Sequence, residues 1–165
     1  GGKNMNAQFN SLEILKMAIS VEEDGEQFYE KCVEANSEPE VKRIFRKLAE
    51  QEREHRAYFK ELLKEFDEAD TSISRDYLYE DLTGDYLKSI VDEQVFPADE
   101  EVSDEIADDL ADALDVGIKA EKNSILLYQE LIKSEENEQN IKALKKLIEE
   151  EKEHLVKLKD LKSYV

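Results

Sequence analysis

The chain has 165 residues, 42 acidic against 23 basic, for a formal net charge of −19. That balance excludes a nucleic-acid binder, whose phosphate contacts need a Lys/Arg surface, and it excludes docking on anionic membranes. With 39% charged and 40% hydrophobic residues but only five Gly and two Pro, the composition is that of long amphipathic helices rather than sheets, an all-α single domain over residues 1–165.

Four segments carry apolar residues at intervals of three and four and are expected to be helices. The first runs from about 12 to 35, with Asn10 as N-cap and Glu13 at the capping-box position. The second spans about 38–66. There Ser37 is placed to cap, Glu40 to answer it, and Pro39 sits in the first turn, where its missing N–H does no harm. A long crossover follows, about 67–102. Its apolar, tyrosine-rich part, Tyr77-Leu78-Tyr79 through Leu87 and Ile90-Val91, is expected to form a short helix lying on the bundle. The third helix covers about 103–133. The fourth, about 138–161, follows Asn137. Short links within each pair make helices 1 and 2 antiparallel, and likewise 3 and 4. The expected architecture is a four-helix bundle of two antiparallel hairpins.

Cys32 is the single cysteine, which rules out an intrachain disulfide or a cysteine metal knuckle. No stretch has the basic start and apolar run of a signal peptide, nor the roughly 20 apolar residues of a membrane span. A soluble, cytoplasmic protein is the default expectation.

One pattern is written twice. Glu22, Tyr29, Glu52 and His55 recur at an offset of 99 as Glu121, Tyr128, Glu151 and His154, without insertion or deletion, and both histidines of the chain belong to it. Ile19/Ile118, Leu48/Leu147 and Leu62/Leu161 repeat at the same offset, as in a duplicated helical hairpin. A helix turns about 100° per residue, so Glu52 and His55 share a face, as do Glu151 and His154. Four carboxylates and two imidazoles on inward stripes are the ligand inventory of a two-metal carboxylate site in a bundle. Hard carboxylates with a few imidazoles suit iron, or else manganese, better than copper or zinc. A buried Glu without a partner is costly, so metal is preferred over an empty polar network. Glu54 and Glu153, near several lysines, belong to the solvated face. Tyr29 and Tyr128 are either core aromatics or hydrogen-bond donors to ligand carboxylates. Cys32 is expected to be a buried small residue, and Gly25 and Gly117 to allow close helix approach.

The set Glu22…Tyr29, Glu52-x-x-His55, Glu121…Tyr128, Glu151-x-x-His154 resembles the ferritin-like superfamily, specifically the rubrerythrin-type di-iron domain, over nearly the whole chain. The resemblance implies a ferritin-like bundle holding two iron ions. In it Glu22 and Glu121 would be terminal ligands, Glu52 and Glu151 bridges, and His55 and His154 one to each iron. Two departures stand out. Rubrerythrins carry a four-cysteine iron domain, which one cysteine cannot build, so electrons are expected from a separate donor protein. They also carry an extra glutamate three residues after the third-helix ligand, where this chain has Ser124. The implied function is an oxidoreductase reducing hydrogen peroxide or dioxygen. The alternatives are a ferroxidase or iron-buffering protein and, in a different class, a non-enzymatic bundle in which metal is structural or which binds a partner. A homodimer is expected, with the long crossover allowing two chains to exchange hairpins.

Overall fold

The computed structural model describes residues 5–67, 85–86, 89–90, 95–97 and 100–165. Five helices are present among them: α1 Met5–Ala35, α2 Pro39–Asp67, α3 Glu100–Asp108, α4 Leu110–Ser134 and α5 Glu138–Lys162. The helices α1 and α2 form one antiparallel hairpin and α4 and α5 the other. The hairpins meet mainly through α1 against α4, and α3 bridges α1 and α4. This is the all-α bundle of two antiparallel hairpins expected from the apolar periodicity and the short links.

Three boundaries differ from expectation. The first helix begins at Met5, not near residue 12. Residues 5–10 contain neither Gly nor Pro, so nothing halts the helix, and Asn10 lies inside it rather than at its cap. At α2, the Glu38 carbonyl accepts the Lys42 N–H at 3.0 Å. Glu38, not Ser37, therefore holds the cap position. Pro39 is the first helical residue, and Glu40 accepts from Arg43 Nε at 3.2 Å. The expected third helix is two helices. Asp109 interrupts it with extended backbone (φ −106°, ψ 111°), and its side chain accepts from the Asp112 N–H. A short carboxylate that bonds nearby backbone competes with the helical ladder, so an Asp pair inside an apolar pattern makes a cap instead. Asp109→Ala is expected to lower stability by about 1 kcal/mol, read by urea unfolding. An unchanged midpoint would mean the cap is unimportant.

At α5, Asn137 is the N-cap, accepting from the N–H groups of Gln139 and Asn140. The short helix expected from the tyrosine-rich stretch falls largely outside the described residues. Of that stretch, residues 85–86 and 89–90 are helical, and Ile90 is buried.

The core is a continuous apolar cluster that includes Ile14, Leu15, Phe28, Phe45, Phe59, Leu114, Leu127 and Leu158. Each such side chain contributes roughly 1.5–3 kcal/mol by leaving water. Phe96, from the crossover, packs on Phe28 and Tyr29 with ring centroids 5.9 and 5.5 Å away. It can do so because Gly25 lacks a side chain: a Cβ there would stand 2.8 Å from Phe96 Cε2 and 3.1 Å from Glu52 Oε2. Cys32 is fully buried. Burial pushes its thiol up to about 12, which keeps it an inert core residue. No helix among the described residues is long and apolar enough to cross a membrane.

Candidate metal centre

Each long helix delivers its share of the site from one inward stripe. Glu22 and Tyr29 come from α1, Glu52 and His55 from α2, Glu121 and Tyr128 from α4, Glu151 and His154 from α5. All six sequence-selected carboxylates and imidazoles are at most 1% exposed. They fall into two overlapping groups, Glu22–Glu52–His55–Glu151 and Glu52–Glu121–Glu151–His154, each with its candidate donor atoms within 4.8 Å of one another. Glu52 and Glu151 belong to both groups, and Glu22 and Glu121 to one each. Glu54 and Glu153 are exposed.

The histidines face inward through Nδ1. His55 Nδ1 lies 2.7 Å from Glu151 Oε1 and 3.5 Å from Glu22 Oε1. His154 Nδ1 lies 3.5 Å from Glu121 Oε1, 3.5 Å from Glu151 Oε2 and 3.9 Å from Glu52 Oε1. The two rings are nearly parallel, with centroids 6.1 Å apart.

The tyrosines cross between hairpins. Tyr29 on α1 donates to Glu121 Oε1 on α4 at 2.7 Å, and Tyr128 on α4 donates to Glu22 Oε1 on α1. Ser124 is buried one turn before Tyr128 on α4. The tyrosines are thus both core aromatics and carboxylate donors. Burial, then nearby glutamates, holds both phenols well above their ordinary value, so they remain donors. Tyr128→Phe would leave a buried Glu22 oxygen unpaired. It is expected to cost about 1–3 kcal/mol of stability, measured by urea unfolding of the metal-free protein. No loss would show the bond to be dispensable.

The electrostatics are those of four carboxylates and two imidazoles crowded out of water. Burial, then Glu22 and Glu151, pushes the Glu52 carboxyl well above its usual range. Burial opposes charge on both His55 and Glu151. The nearby Glu151 and Glu22 carboxylates nonetheless raise His55 to about 11, and the nearby His154 and His55 rings lower Glu151. Seven atoms of the six residues are buried without a hydrogen-bond partner: Glu22 Oε2, Glu52 Oε1, His55 Nδ1, Glu121 Oε2, both Glu151 oxygens and His154 Nδ1. Buried polar atoms in native proteins are normally paired, and a metal ligand atom is the main exception. All seven face one region, and their mix of carboxylate oxygen and imidazole nitrogen fits a hard or borderline divalent cation. The residues therefore fit the group their pattern suggests.

Sequence reasoning missed the outer partners of the histidines. His55 Nε2 lies 2.6 Å from Glu150 Oε2 on α5, and His154 Nε2 contacts Gln51 Oε1 on α2. Both partners are acceptors, so each Nε2 carries a hydrogen and each Nδ1 is left to face inward. Gln51 and Glu150 are themselves 99 residues apart and each precedes a candidate ligand; that register was the available signal. Also missed was buried Glu26, which pairs with Arg53 and Arg56, each at 2.8 Å, beneath the site.

The sequence profile of the Rubrerythrin family matches residues 13–162. Among solved structures, one from Thermotoga maritima described as a ferritin-like diiron-carboxylate protein is 34% identical. Its alignment covers 93% of this chain and 94% of that one, with a TM-score of 0.70. No match was found among curated proteins.

Proposed function

Because the chain belongs to the rubrerythrin family, we propose that it is a di-iron carboxylate oxidoreductase reducing hydrogen peroxide, or dioxygen, with electrons from a separate donor protein. The observation that carries this reading is the pair of buried ligand groups sharing Glu52 and Glu151. Two adjacent irons would supply electrons for cleaving an oxygen–oxygen bond and would share the charge that develops on its oxygens.

The chain's own residues would do the rest. Glu52 and Glu151 would be held in common by the two metal positions, with Glu22 and His55 completing one position and Glu121 and His154 the other. Tyr128 and Tyr29 fix the terminal carboxylates Glu22 and Glu121 through their remaining oxygens. Phe59 packs on Tyr128 and Phe45 on Tyr29, which keeps bulk water from the ligands. Burial favours the protonated form of Glu52 and the carboxylates around His55 favour its protonated form, so metal would bind in competition with protons. These 165 residues carry one cysteine, buried and inert, so electrons would reach the site from outside them. Manganese is the second metal that the donor set suits.

A second reading is favoured by one residue. Ser124 stands where rubrerythrins are expected to carry their extra glutamate, and it offers a hydroxyl in place of that carboxylate. A site without that carboxylate suits ferroxidase or iron-buffering work. The two readings separate in one experiment. Protein loaded anaerobically with iron(II) is mixed with hydrogen peroxide or with air-saturated buffer, and the loss of chelatable iron(II) is followed. Oxidation faster with peroxide supports the peroxidase reading. Oxidation faster with air, with uptake of iron beyond the site's capacity, overturns it in favour of ferroxidase chemistry.

A further inference from the structure

The repeat is broken at the pair of positions that touches the outer nitrogens of both histidines. The candidate ligands and tyrosines are all identical across the offset of 99, yet Gln51 faces Glu150 across the same offset. These two are the acceptors for the outer nitrogens of the histidines. Glu150 Oε2 is 2.6 Å from His55 Nε2, and Gln51 Oε1 bonds His154 Nε2. The pairing runs between hairpins, each acceptor preceding the bridge-position glutamate of its own helix. The candidate ligands and tyrosines around the two histidines match in residue type. Each has one terminal glutamate, one cross-hairpin tyrosine behind that glutamate, and the shared pair Glu52 and Glu151. The outer acceptor is an anion for one and a neutral amide for the other.

A ring N–H bonded to a carboxylate gives up electron density more readily through its other nitrogen than one bonded to an amide carbonyl, because a carboxylate is the stronger acceptor. The His55 Nδ1 is therefore the better donor of the two. Glu150 is partly exposed, at 24%, so solvent screens some of its charge. It acts at contact distance, however, where screening is least.

We propose that Glu150 and Gln51 make the two metal positions unequal, so that the position built on His55, Glu22, Glu52 and Glu151 fills before the position built on His154. Glu150 is a positioning and tuning residue, acting on the metal only through His55. The inference rests on the metal-site reading above, and it assigns the halves of a duplicated site different strengths from one residue difference.

The test uses the full chain and Co(II), a redox-stable stand-in for iron(II), added anaerobically to one equivalent. A histidine ligand of Co(II) gives a shifted, exchangeable ring N–H proton signal in NMR. The His55 and His154 signals are assigned by the His55→Gln and His154→Gln variants. In the unaltered chain the His55 signal should exceed the His154 signal by about tenfold or more, the scale of outer-partner effects on affinity. Glu150→Gln, with two amides, should bring the two signals to near equality, and so should Gln51→Glu, with two carboxylates. The double exchange, Gln51→Glu with Glu150→Gln, should reverse the preference. Circular dichroism of each variant confirms that it is folded, and a variant that fails to fold leaves the other two to decide. Equal signals in the unaltered chain, or a preference that survives Glu150→Gln and the double exchange, would overturn the inference. Failure to bind Co(II) at all would instead sink the metal reading beneath it.

Discussion

Glu151→Ala is expected to weaken metal binding by on the order of a hundredfold or more, beyond the range for outer partners, and to disturb both positions at once. Glu151 belongs to both ligand groups, and neither of its oxygens has a hydrogen-bond partner. Removing it takes one donor residue from each position and opens a gap between them. Glu151→Gln keeps the volume and removes only the charge, so it separates loss of a ligand from loss of packing; it should fail to bind metal nearly as badly. Glu153→Ala, two residues along and exposed, should bind metal as the unaltered chain does. Competition against a chelator of known affinity reads all three. Normal binding by Glu151→Ala would remove the shared carboxylate from the account.

The second large effect is on stability. A ligand at about a thousand times its dissociation constant stabilises the folded state by about 4 kcal/mol per site. Two sites give about 8 kcal/mol. For a chain of this size that corresponds to a rise of roughly 15–30 °C in melting temperature on loading with metal. The metal-free protein should also respond to pH in a defined direction. Glu52 is raised above its ordinary 4.5 and His55 above its ordinary 6.5. Each contributes stability that is present below the ordinary value and lost as pH rises toward the folded one. Glu151 is lowered, so its contribution is complete above 4.5 and disappears only on acidification. From pH 6 to pH 9 His55, raised to about 11, governs, and the metal-free melting temperature should fall. The metal-loaded protein should not follow that fall, because metal binding is helped by deprotonated ligands. Calorimetry with and without metal at both pH values checks both statements. Equal melting temperatures with and without metal would favour a non-enzymatic bundle that does not depend on the ion.

Much of this was legible from one chain because the site is duplicated. The offset of 99 singled out Glu22, Glu52, His55 and their counterparts, and helical spacing alone put each Glu-x-x-His pair on one face. Spacing within a helix cannot say what lies across the bundle. The reach of Tyr29 to Glu121, and of Tyr128 to Glu22, depends on how the hairpins dock. The same limit hid Gln51 and Glu150. They lie about 100° off the ligand stripe of their own helices, and they matter only because the neighbouring helix presents a histidine there. Matching by identity also passed them over, because they are not identical. The break at Asp109 was missed for a local reason: the apolar period continues through it, and the capping bond that interrupts the helix involves a residue that periodicity counts as surface. Residues 5–10 erred the other way, since a capping residue was read at Asn10 where the helix simply continues.

The most direct measurement is the iron content of the full chain after anaerobic loading with iron(II) and removal of excess, by elemental analysis against protein concentration. The two overlapping ligand groups require about two irons per chain, falling to at most one in Glu151→Ala. Substantially less than one iron in the unaltered chain would mean that six buried carboxylates and imidazoles form a polar network without metal, and the account of this site as a di-iron centre would be wrong.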